Sequence, residues 1–130
     1  MRLFKRGWDS GAAALEAALI LPVLLTFIFG ALNVGWALYC GAEVRHAVER
    51  STRLLIADPT TSVSAIQTAV DDRLQAADPA DVDLTMAQET VGTSGQIARL
   101  SWTYAYTVAM PFVDDFTLHF DSSLIVPLRS

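Results

Sequence analysis

Cysteine is almost missing from this 130-residue chain: Cys40 is the only one, so no disulfide can form within the molecule. An oxidising compartment would permit a bridge to another chain, but a lone cysteine closing an apolar stretch reads as a small apolar filler. Histidine is nearly as scarce. His46 and His119 stand apart, without a Ser or Cys nucleophile motif or metal-ligand spacing beside either, so no catalytic residue, no metal site and no cofactor is expected, and the chain does not read as an enzyme. A glycine loop able to cradle phosphates is also lacking, which removes nucleotide chemistry. Basic residues are few: 9 Lys and Arg against 14 Asp and Glu give a formal charge of −5, with no basic face, so nucleic acid is not an expected partner.

The longest absence is of charge. From Ala17 to Leu38 there are 22 residues without an ionisable group. At about 1.5 Å rise per residue they reach roughly 33 Å as a helix, enough for the hydrocarbon core of a membrane. Glu16 sits at the threshold of this run, where a carboxylate is costly and calls for a partner. A cut after Gly11 would supply one, because Ala12 would then carry a free amine four residues before Glu16 on the same helix face. The carboxylate would also lie in the first helical turn, which favours anions. The same amine could instead meet Glu16 of a neighbouring subunit. Pro22, inside the run, removes the hydrogen bond to the Ala18 carbonyl and should bend or loosen that turn.

The run Arg6-Gly7-Trp8-Asp9-Ser10-Gly11-Ala12-Ala13-Ala14-Leu15-Glu16-Ala17-Ala18-Leu19-Ile20-Leu21-Pro22 resembles the processing site of type IV pilin-like precursors, and within them the TadE-like minor pilins or pseudopilins of tight-adherence pilus systems. The resemblance covers roughly residues 6 to 56, and it departs from the family in having Ala17 where an aromatic residue usually follows the Glu. It implies removal of the basic leader, residues 1–11, by a prepilin peptidase on the cytoplasmic side, with possible N-methylation of Ala12. Gly11 and Ala12 then form the cleavage site, Glu16 is the assembly carboxylate, and Pro22 is either a tolerated proline or a weak point that lets the helix stretch when the subunit leaves the bilayer. The implied partners are the peptidase, other pilins or pseudopilins, an inner-membrane assembly platform and membrane lipid. Processing puts the N-terminus in the cytoplasm and the C-terminal domain in the periplasm, a point on which the flanking basic residues tie.

Beyond the expected transmembrane helix 12–38, the 92 residues from Tyr39 to Ser130 are enough for one small domain. Helical spacing of Val44, Ala47, Val48, Leu54 and Leu55 extends the first helix through 39–56, with Glu49 paired to Arg53, until Asp58-Pro59 ends it. Val63, Ile66, Val70, Leu74 and Ala77 predict a second helix from Ser62 to Ala77, with Ser64 and Gln67 as a candidate capping box, Thr61 and Ser62 as alternative starts, and Asp71-Asp72 on a solvated face. From Asp81 the period becomes two. Val82, Leu84 and Met86 predict one strand, Val91–Gly95 a turn, and Leu100, Trp102, Tyr104, Tyr106 and Val108 a second strand. Pro111 and Asp114-Asp115 break it before a third strand at Phe116, Leu118, Phe120, Leu124 and Val126. The aromatic row reads as core, not as a sugar or base platform. The expected fold is α+β, a three-stranded antiparallel meander on a helical spine. The alternative to a processed pilin is an uncleaved single-pass anchor presenting a small periplasmic binding module.

Overall fold

A stretch of Ala, Leu and other good helix formers with a single internal proline folds as one helix, α1, from Gly7 to Ala57; its 51 residues reach about 77 Å. The structure, a computed structural model, describes residues 7–92 and 95–128, with side chains from Gly11 onward. The leader residues Arg2, Lys5 and Arg6 and the turn residues Thr93 and Ser94 lie outside the described residues. The helix ends where Asp58-Pro59 requires it: the Asp58 N–H still donates to the Leu54 carbonyl, and the Asp58 carboxylate then accepts from the Thr60 N–H and hydroxyl. The Thr60 hydroxyl bond, followed by the N–H bond, holds the Asp58 carboxyl below its ordinary range.

Among the described residues nothing covers the N-terminal part of α1. Leu19, Val23 and Phe27 are 72%, 71% and 77% exposed, and the helix is long and apolar enough to cross a membrane. Further along, one face becomes buried. Gly30, Ala37, Cys40, Val44, Val48, Ser51 and Leu55 recur at helical spacing and form the floor of the domain.

The second helix, α2, runs from Val63 to Asp71 and is shorter than the periodicity suggested. Ser62 caps it by accepting from the Ala65 N–H, so the capping box expected at Ser64 and Gln67 does not form; Gln67 instead donates to Asp71 and to the Val82 carbonyl. Leu74 and Ala77 do pack on the core, but from a non-helical segment. Its backbone is drawn away from helical bonding by Glu43 of α1, whose carboxylate accepts from the N–H groups of Gln75, Ala76 and Ala77, each at 2.9 Å. A short 3-10 turn, Pro79–Asp81, leads into the sheet.

The sheet is an antiparallel meander of β1 (Val82–Val91), β2 (Gly95–Val108) and β3 (Phe116–Leu128) in that spatial order. The fold is α+β with the topology expected. Ala98, Leu100, Trp102, Tyr104 and Val108 of β2 turn inward with Val82, Leu84 and Val126, against α1 and α2. Trp102 and Tyr104 are core residues, and Tyr106 is half-buried. Tyr104 stacks on Phe120, whose ring lies so close to Gly41 that a Cβ there would sit 3.0 Å away. A bare glycine face lets β3 approach the helix.

Strand lengths are unequal, and this positions the candidate site. Val82 opens β1 opposite Tyr104, so residues beyond Tyr104 pair only with β3, up to Val108 against Phe116. The resulting two-stranded ribbon overhangs β1 and runs back along α1 toward its apolar part.

Candidate functional site

The residues expected to carry processing lie at the uncovered end of α1. Gly11, Ala12 and Glu16 are all helical and exposed, and among the described residues nothing comes within 4 Å of the place a Gly11 Cβ would take. Ala12 and Glu16 share a helix face by their spacing of four. Among the described residues no basic group lies within ion-pair distance of Glu16. Pro22 is inside α1, which continues through it; its carbonyl accepts from the Thr26 hydroxyl at 2.8 Å.

The overhanging ribbon brings a second group of residues onto the same helix. The turn from Ala109 to Asp115 rests on α1 between Pro22 and Leu38. The Thr26 hydroxyl, with one proton to give, lies 3.1 Å from the Pro111 carbonyl as well as near that of Pro22. The Asn33 amide, with two, donates to the carbonyls of Phe29 and Ala109 at 3.0 and 3.1 Å. Met110 lies against Gly30, and its N–H donates to the Asp115 carboxylate at 3.1 Å. Beside this contact runs an open apolar groove of about 870 Å³ whose walls include Val23, Phe27, Phe112 and Val113. Phe112 has a φ of 68°, a left-handed conformation unusual for a bulky side chain, and its ring is 77% exposed.

Glu43 forms the third constellation. Burial pushes its pKa up, but the Ala77, Ala76 and Gln75 N–H groups outweigh burial and hold the carboxyl below its ordinary range. It ties the loop after α2 to α1 through charge-assisted bonds. A shallow groove lies alongside, lined by Tyr39, His46, Ala47, Arg50 and Arg73. Glu49 pairs backward with Arg45 at 2.8 Å and not forward with Arg53, as helical side chains lean toward the N-terminus. His46 is 3.7 Å from the same carboxylate, and His119 is exposed on β3. Cys40 is fully buried beside the Tyr104 hydroxyl, and burial raises the pKa of both groups, so the thiol is closed to bridging with another chain.

Sequence reasoning named Gly11, Ala12, Glu16 and Pro22, and the structure places all four on the N-terminal part of α1, the first three exposed and Pro22 at the edge of the groove beside the 109–115 turn. It did not find Thr26, Asn33, the Met110–Val113 turn or Glu43. A signal did exist for the first two: they are the only Ser, Thr, Asn or Gln side chains between Ala17 and Leu38. Residues 11–53 match the family model described as TadE-like protein, a match that opens on Gly11 and runs through the part of α1 that carries the sheet. No curated protein and no solved structure matches the chain.

Proposed function

We propose that this chain, TadE-like through residues 11–53, is a minor pilin or pseudopilin that takes part in assembling a tight-adherence type IV pilus. The observation that carries the reading is the family match to the first helix beginning at the glycine where a cut would pair Ala12 with Glu16. In this reading a prepilin peptidase removes residues 1–11 on the cytoplasmic side of the inner membrane. Among the described residues nothing covers the Gly11–Ala12 bond, which suits access by a protease. The new amine supplies the cation that Glu16 lacks, either within one chain or across two neighbouring helices. α1 anchors the subunit and packs laterally with other pilin-like helices and the assembly platform, while the sheet presents contacts on the periplasmic side. The role is structural, not catalytic.

The mass of the N-terminal peptide, measured on protein purified from its native membrane, tests the proposal. A start at Ala12, methylated or not, is the expected result. An intact Met1 would overturn processing and favour a single-pass anchor presenting a binding module; a start near Trp36 would reduce the helix to a signal sequence. Gly11→Leu should abolish the mature band on a gel, since a bulky residue replaces the one at the cut. Glu16→Ala should be cut normally yet fail to co-purify with partner pilins, and undiminished co-purification would remove the charge pair.

A further inference from the structure

The turn between β2 and β3 is bonded to a part of α1 that a bilayer would surround, and the two cannot occupy different media. We infer that residues Met110–Val113 are a lipid-seated wedge: they enter the leaflet on the sheet's side of the membrane, and its acyl chains fill the groove beside Val23, Phe27, Phe112 and Val113. The inference needs α1 to cross a bilayer but does not need a cut after Gly11.

Irregular backbone survives at membrane depth only where its polar groups are satisfied by protein. The turn meets that condition at Ala109, Met110 and Pro111, while the Phe112 and Val113 N–H groups have no partner among the described residues, so the seat is a shallow one within reach of interfacial water. Pro111 has no N–H to satisfy. The Ala109 carbonyl accepts from Asn33, the Met110 N–H is taken by Asp115, and the Pro111 carbonyl lies 3.1 Å from the Thr26 hydroxyl, whose single proton it shares with the Pro22 carbonyl. In an aqueous setting water would serve all of these groups, and the apolar run would need neither Thr26 nor Asn33. What remains exposed is apolar: Phe112 at 77% and Val113 at 57%, continuous with the uncovered face of the helix. The left-handed backbone at Phe112 turns a large ring outward, where water gives it nothing and hydrocarbon does.

Asp114 and Asp115 fix the depth. Both are exposed carboxylates next to the wedge, and carboxylates favour the headgroup level over hydrocarbon. Met110 lies at Gly30, so the hydrocarbon boundary on α1 falls near Gly30 to Asn33 and not at Leu38. The span then runs from about Gly11 to Asn33, still roughly 33 Å. Trp36 and Tyr39, paired at 5.6 Å between ring centroids and both more than half exposed, stand about 5 to 9 Å above Asn33, at the level where aromatic belts lie.

The test uses the full chain in phosphatidylcholine nanodiscs, in a Cys40→Ala background, with an environment-sensitive fluorophore on a single cysteine. Phe112→Cys and Val113→Cys probe the wedge, the second leaving the strained residue in place. Phe27→Cys reports the span and Thr90→Cys, exposed on β1, reports water. The expected result is that labels at 112 and 113 are quenched by lipids spin-labelled high on the acyl chain at least twofold more than the label at 90, and are protected from aqueous iodide. Iodide quenching at 112 and 113 like that at 90, with 27 still in lipid, overturns the wedge and leaves the membrane helix standing. Iodide quenching at 27 as well overturns both. Protection of 112 and 113 from lipid and iodide alike would mean that protein covers them, which also overturns the proposal.

Discussion

Ser51 is fully buried in the last two turns of α1, and among the described residues its hydroxyl has no hydrogen-bond partner. A buried unsatisfied polar group costs about 1 to 3 kcal/mol, and alanine is also the better helix former. Ser51→Ala should therefore stabilise the folded domain by about 1 kcal/mol, read as a higher midpoint in thermal unfolding of the detergent-solubilised protein. A lower midpoint would show that the hydroxyl has a role in packing or bonding. The same logic separates the two carboxylates of α1. Glu16 had a position in the sequence that demanded explanation, at the lip of an uncharged run. Glu43 had none, because its partners are backbone N–H groups more than thirty residues away, and the backbone carries no residue-specific signature. Cys40 and Trp102 were legible as core residues from apolar context and strand alternation, respectively.

At the scale of elements, period was a faithful guide to which residues face the core and a poorer one to which elements hold them. β1, β2 and β3 stand where alternation of two placed them, and α1 stops at the proline that was expected to stop it. α2 stops early because Leu74 and Ala77 keep a helical spacing of core contacts on a segment whose N–H groups Glu43 has claimed. Removing that carboxylate should release the segment: Glu43→Ala costs about 1 to 3 kcal/mol by the general cost of losing charge-assisted bonds, while Glu43→Gln, keeping one acceptor, costs less. Hydrogen exchange should locate the loss at Gln75–Ala77 and spare β2. Since the folded Glu43 carboxyl lies below its ordinary value of about 4.3, its contribution is fully present above that pH and fades as pH falls through the lower folded value. Glu43→Ala and the parent should thus converge in stability as acid is added, and a constant gap at all pH values would refute the assignment. The turn on α1 was not legible. Met110–Val113 read as a break between strands, and what carries it to Thr26 and Asn33 is the overhang of β2 past β1, set by register. Replacing both side chains, Thr26→Val with Asn33→Leu, should detach the turn and raise its deuterium uptake while the sheet's ladder stays protected.

For the whole molecule, charge and shape divide at the same place. The acidic residues other than Asp9 and Glu16 all lie on the sheet side of the apolar run, while the basic leader lies on the other. Removing residues 1–11 takes three basic residues and one acidic one, leaving 6 basic and 13 acidic residues and a charge of −7. Isoelectric focusing of precursor and mature protein should show the mature form shifted below the precursor's isoelectric point near 4.7, and coincident bands would argue against the cut. Domain class and anchor were readable because both rest on long, simple patterns. The way the domain sits on its anchor was not, since it depends on tertiary contacts between residues 76 and 85 positions apart.

In the seating inferred above, travel through the membrane would be unequal in its two directions. Sinking further inward would drag Asp114, Asp115 and the open margin of the sheet into hydrocarbon, so the acidic pair works as a collar that sets how deep the subunit rides. Moving outward asks only that Phe112 and Val113 slip from the lipid along with the helix they lie on. If the chain does leave the bilayer, as the assembly role proposed above requires, a collar of this kind would leave its departure open on one side alone.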